Sequence, residues 1–96
     1  MSSRNAKYEY TTVNDLKHHI TIKKAEKVAE KGGMQVLIRD IEEELAAHCQ
    51  VTRDTILMIK RGVNQPSLAV AMKIAEYFNT PVESVFKLKD SEVVDE

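Results

Sequence analysis

Residues 51–62 read VTRDTILMIKRG, and the rest of the chain organises around this stretch. Thr52 belongs to the small set of residues whose side-chain oxygen caps a helix start by accepting from an otherwise unpaired backbone N–H. The residues after it, RDTILMIKR, turn Ile56 and Ile59 to one side and leave Arg53, Asp54, Leu57, Met58 and Lys60 on the other faces. Gly62 then offers the left-handed backbone that ends such a helix. The spacing predicts a short amphipathic helix over 52–61, held to a core by two isoleucines.

Downstream, the loop VNQP leads to Ser67, a second capping residue, and a helix with Leu68, Ala71, Met72, Ile74, Ala75 and Phe78 available for burial. Thr80 and Glu83 have the spacing of a capping box and Pro81 falls at a first helical position, so PVESVF is expected to form a short closing helix. The tail KLKDSEVVDE is charged and is expected to fray unless a partner chain orders it.

Upstream, Met34, Leu37, Ile38, Ile41, Leu45 and Cys49 keep helical spacing, although MQVLI alone also suits a short strand; a helix is expected at least over 41–49. From Ile22, IKKAEKVAEK is rich in helix formers, with apolar residues at 22, 25 and 28/29, and Gly32-Gly33 provides its stop. Residues 1–21 have a different texture. KYEYTTV and LKHHITI alternate as strands do, on either side of the turn-prone pair Asn14-Asp15. A β-hairpin, a loose arm and an early start to the first helix are all compatible with that pattern.

Ninety-six residues amount to one domain's worth of chain. With 43% hydrophobic and 30% charged residues the composition is that of a globular protein. No apolar run approaches the roughly 20 residues needed to cross a bilayer, and the opening MSSRNAKYEY lacks the apolar segment of a secretory leader. A cytoplasmic location is therefore expected. Cys49 is the only cysteine, which excludes an intrachain disulfide or a thiolate-rich zinc site. His18, His19 and His48 have no partners at metal-ligand spacing, so no metal and no cofactor are expected. The formal charge is −1, but its distribution is uneven: from Val51 to Ala75, Arg53, Lys60, Arg61 and Lys73 stand against Asp54 alone, a local excess of three.

These features occur together, in order, in EELAAHCQVTRDTILMIKRGVNQPSLAVAMKIAEYFNTPVESVF, residues 43–86. EELA is followed by Val51-Thr52-Arg53, then Ile59-Lys60-Arg61-Gly62, then PSL, then KIAEYFNTPVESVF. Each piece alone is weak, but the ordered set resembles the lambda-repressor-like, or Xre-type, helix-turn-helix family over about half the chain. The likeness is to compact bacterial, plasmid or phage repressors that are little more than this domain. It implies an all-α, compact five-helix fold, beside which the pattern of the first residues adds a short N-terminal β-hairpin or arm. The expected organisation is an extension over 1–21, a DNA-binding domain over 22–87 and a charged tail over 88–96.

The resemblance also implies roles. The second helix of the motif protrudes into the major groove. Arg53 and Asp54 stand at its start, where Arg suits guanine and Asp the cytosine amino group. Thr55, Leu57 and Met58 share that base-contacting surface, with Met58 suited to a thymine methyl. Thr52, Lys60, Arg61, Asn64, Gln65 and Lys73 are assigned to phosphates. Dimer contacts are expected around Val82, Val85 and Phe86, or from the N-terminal segment. Two departures stand out. Gln50 replaces the usual turn glycine, at a cost on the order of 1 kcal/mol. Glu42 replaces a phosphate-contacting Gln, and its carboxylate needs displacement of the helix or neutralisation by a lysine of the N-terminal helix.

The function expected is sequence-specific binding of double-stranded DNA by a homodimer, acting as a transcriptional repressor that occludes a promoter. An accessory factor of plasmid or phage DNA processing, with the extension docking another protein, uses the same domain. A protein-interaction module that has lost DNA binding is a third reading, favoured by Glu42 and the low net charge. An enzyme is not expected: there is no nucleophile-base constellation and no phosphate-binding glycine loop. Cys49 is read as a small core hydrophobe in preference to a redox switch.

Overall fold

A computed structural model describes residues 10–90. Strand β1 (Tyr10–Asn14) is followed by helices α1 (Leu16–Glu30), α2 (Ile38–Cys49), α3 (Arg53–Lys60), α4 (Leu68–Tyr77) and α5 (Val82–Val85), and strand β2 (Phe86–Asp90) closes the described chain. The five helices enclose a core built from Leu16, Ile20, Ile41, Leu45, Ile56, Ile59, Ile74 and Val85, with Val36, Ala46, Cys49, Ala71, Ala75 and Phe86 completing it.

From Tyr10 onward the structure decides among the alternatives left by the pattern, while residues 1–9 of the expected extension lie outside the described residues. β1 pairs antiparallel with β2, Thr12 opposite Leu88 and Asn14 opposite Phe86, so the partner of the first strand is the far end of the described chain and not residues 16–22. Those residues are helical. Leu16 and Ile20, one turn apart, are both buried, and this i, i+4 contact outweighs the period-two appearance of LKHHITI. The side chain of Asn14 accepts from the Leu16 N–H at 3.0 Å, which occupies one of the unpaired donors at the helix start. Helix α1 therefore begins six residues before Ile22, and Ile22 itself is exposed. At the other end Gly32 and Gly33 have φ of 68° and 92°. The Gly33 N–H reaches back to the Val28 carbonyl at 2.8 Å, closing the helix as the double glycine implies.

Met34–Leu37 is neither strand nor helix but a short extended linker pinned by the buried Val36. α2 starts at Ile38, where the Asp40 carboxylate accepts from the Leu37 N–H at 2.9 Å. The closing helix is capped differently from the capping-box expectation: Pro81 is its cap residue and no side-chain cap bond forms, so Thr80 and Glu83 do not make the box. Leu68 and Met72 of α4 also depart from expectation, since both face outward while Ala71, Ile74 and Ala75 turn inward. Phe86, expected to end the closing helix, instead opens β2, and residues 87–90 of the segment expected to fray are held by β1; residues 91–96 of that segment lie outside the described residues.

Candidate nucleic-acid interface

Helices α2 and α3 meet through Ile41, Leu45, Ala46 and Cys49 on one side and Ile56 and Ile59 on the other, all buried. Ala46 is the small residue that a close crossing needs. Between the helices Gln50 takes the left-handed conformation, φ 59° and ψ 41°, and the Val51 N–H bonds the Ala46 carbonyl at 3.0 Å. The turn is thus made without glycine. Thr52 caps α3, its hydroxyl accepting from the Thr55 N–H at 3.1 Å and lying 3.0 Å from the Thr55 hydroxyl.

The outer surface of α3 carries Arg53, Asp54, Thr55, Leu57 and Met58, all at least partly exposed. Arg53 is not loose on that surface. Its Nε donates to Oε1 of Glu42 at 3.0 Å, while Lys60, two turns further along the same face of the helix, donates from Nζ to Oε2 of the same carboxylate. The Glu42 side chain is 2% exposed, against 35% for Arg53 and 20% for Lys60. Burial by itself would raise the pKa of this carboxyl, but hydrogen bonds and charge from Lys60 and Arg53 outweigh it and hold the group below its ordinary value. The neutralisation expected of the N-terminal helix is therefore supplied by α3 itself. Two cations assigned to DNA from the sequence share one internal carboxylate.

The remaining candidates divide into two places. Arg61, Asn64 and Gln65 continue from the end of α3 and are exposed. Gln65 is clasped by β1, its side-chain carbonyl accepting from the Thr12 hydroxyl and from the Thr12 N–H at 3.3 Å. Lys73 lies apart on α4, donating to Glu76 at 2.8 Å, and the same oxygen of Glu76 is 3.0 Å from the His48 ring nitrogen. Of the three residues expected at a dimer contact, Val85 and Phe86 are buried in the core and only Val82 is partly exposed. A second network fixes α1 and α4 on α2: Lys27 meets Glu44 at 3.1 Å and the Tyr77 hydroxyl donates to the same carboxylate. Glu44 is held below its ordinary pKa, first by that hydroxyl, and burial drives the Tyr77 phenol upward.

Glu42 was the residue whose partners sequence reasoning missed. The available signal was periodicity, since Glu42 lies three and four residues before Leu45 and Ala46 and so falls on the core face of α2.

A short helix crossing another through a capped, tight turn, with a charged outer face and a following loop, is the geometry of a helix-turn-helix protein. A family model described as helix-turn-helix matches residues 39–85. The chain belongs to the lambda-repressor-like, or Xre-type, helix-turn-helix family of DNA-binding regulators. It is 41% identical over 51 residues to an uncharacterized HTH-type transcriptional regulator of Methanocaldococcus jannaschii, covering 53% of this chain and 77% of that protein. A second, from Archaeoglobus fulgidus, is 42% identical over 52 residues, 54% of this chain and 74% of the relative. The regulator YgzD of Bacillus subtilis is 39% identical over 49 residues, 51% and 74% of the two chains. These relatives are archaeal as well as bacterial. Among the described residues no helix is long and apolar enough to cross a membrane.

Proposed function

We propose that the protein is a dimeric, sequence-specific transcriptional repressor that reads the major groove with α3. The observation that carries this reading is the fixed Arg53 side chain at the capped start of α3. Its Nε is held by Glu42, so the remaining guanidinium N–H groups can be offered outward in one orientation, which suits paired contacts to a guanine edge. Asp54, Thr55, Leu57 and Met58 flank it on the base-facing surface, and Arg61, Asn64 and Gln65 lie where phosphates would run. Thr52 acts through its cap.

One such helix reads only a few base pairs, so a two-fold pair on a palindromic site supplies the needed affinity. Val82 and the outward Leu68, Met72 and Leu88 offer the apolar surface for that pairing, with Leu68 73% and Leu88 76% exposed. Repression follows from occupancy of a promoter.

The test is selection from random duplex pools at two salt concentrations with wild type and Arg53→Ala. Enrichment of a palindrome that broadens in the variant is the expected outcome. Weak, salt-sensitive binding without enrichment, unchanged by the substitution, would overturn the reading.

A further inference from the structure

The sheet formed by the two ends of the described chain lies against the end of α3, and between them is an open cleft of about 390 Å³. Lys60 and Arg61 enter it from α3, Gln65 from the loop beyond, and Thr11, Thr12 and Lys89 from the sheet. No carboxylate is among its lining residues. Thr11 and Lys89 stand directly opposite one another in the strand register, so their side chains share a face of the sheet. Lys60 is already compensated by Glu42 behind it. The cleft therefore presents the charges of Arg61 and Lys89 beside the Thr11 hydroxyl, the Thr12 hydroxyl being given to Gln65.

A helix C-terminus ordinarily repels anions, because its last carbonyls are unpaired. Here three of those carbonyls are used internally. The Arg61, Gly62 and Val63 N–H groups bond the carbonyls of Leu57, Ile59 and Met58 at 3.0, 2.9 and 2.9 Å. The Asn14 side chain of β1 adds a donor to the Ile59 carbonyl at 2.9 Å. The negative end of α3 is thus weakened at the point where the sheet joins it, three of its last carbonyls having partners.

We propose that this cleft is a further binding site for a DNA backbone phosphate, with Lys89 and Thr11 as its sheet-borne ligands and Arg61 as its helix-borne one. The inference rests on the reading of α3 as the DNA-binding helix and extends its footprint to strands that lie outside the 39–85 match. The duplex is favoured as the phosphate source because the cleft continues directly from the end of α3. Lys89 thereby lengthens the basic face without touching a base, which makes its contribution independent of sequence.

The experiment measures affinity for the selected duplex against salt concentration for wild type, Lys89→Gln and Thr11→Ala, with phosphate-ethylation interference on the same complexes. For Lys89→Gln the slope of log affinity against log salt is expected to fall by about one. Affinity should drop by a similar factor on every sequence, base preference should persist, and one interfering phosphate should disappear. Thr11→Ala should weaken interference at that same phosphate. An unchanged slope and unchanged interference in Lys89→Gln, with wild type still selecting its site, overturns the cleft and leaves the α3 reading standing. Failure of wild type to bind any duplex overturns both. Inorganic phosphate, titrated alone at matched ionic strength, separates the sources: displacement of the duplex from wild type and Lys89→Gln equally, with interference unchanged between them, also overturns the proposal.

Discussion

Glu42 accepts from Arg53 at 3.0 Å while almost wholly removed from solvent, so a carboxylate of α2 sets the position of a cation at the start of α3. Glu42→Ala would leave Arg53 and Lys60 partly buried without their counter-charge. The expected loss is about 2–3 kcal/mol, at or below the low end for breaking a buried pair because both cations keep some water. Urea denaturation reads it directly. Arg53 should also lose its fixed orientation, so base selectivity should broaden more than overall affinity falls.

The same carboxyl makes stability depend on pH. Its folded pKa lies below its ordinary value of 4.5, so its stabilisation is complete above that value and is lost as pH falls through the folded one. Glu44 is shifted the same way and adds to the effect. The urea midpoint of wild type should therefore drop on acidification from about pH 6 to about pH 3, and Glu42→Gln should show a shallower decline. Equal pH profiles for the two proteins would show that the pair contributes nothing.

Asn14 has two structural bonds, donating to the Ile59 carbonyl at 2.9 Å and accepting from the Leu16 N–H at 3.0 Å. Asn14→Ala removes both and is expected to cost about 1–2 kcal/mol, a typical net value of one to two hydrogen bonds. Hydrogen exchange should accelerate at the Leu16 amide and across β1. Protection there equal to wild type would mean that the strand is held by its pairing alone.

Cys49 is buried, and burial pushes its thiol above its ordinary pKa. The native protein should react slowly with a thiol-specific disulfide reagent at neutral pH, and full reaction should appear only with denaturant. Rapid native labelling would show an opening of the α2 end that the packing does not provide for.

Much of the fold was legible in residues whose effect is local. Thr52 and Ser67 cap the helices their positions suggest, with hydroxyls bonded to Thr55 and Val70 N–H groups. Gly32-Gly33 stops α1, and Ile56 with Ile59 marks the inner face of α3. Such features depend on a few neighbouring residues, so composition and period carry them. Tertiary structure decided the rest. Whether Leu16-Ile20 is strand or helix depended on a core that only the assembled helices create. The partner of β1 lies more than seventy residues away at β2, beyond the reach of any local pattern. The placement of Val85 and Phe86 inside, with Leu68 and Met72 outside, followed from which face of each short helix met its neighbour. At the site, the charged residues of α3 could be read from their spacing, but the union of Arg53 and Lys60 on Glu42 required the crossing of α2 over α3. A buried charge selects its partners by proximity in space, and that proximity is a property of the packed chain.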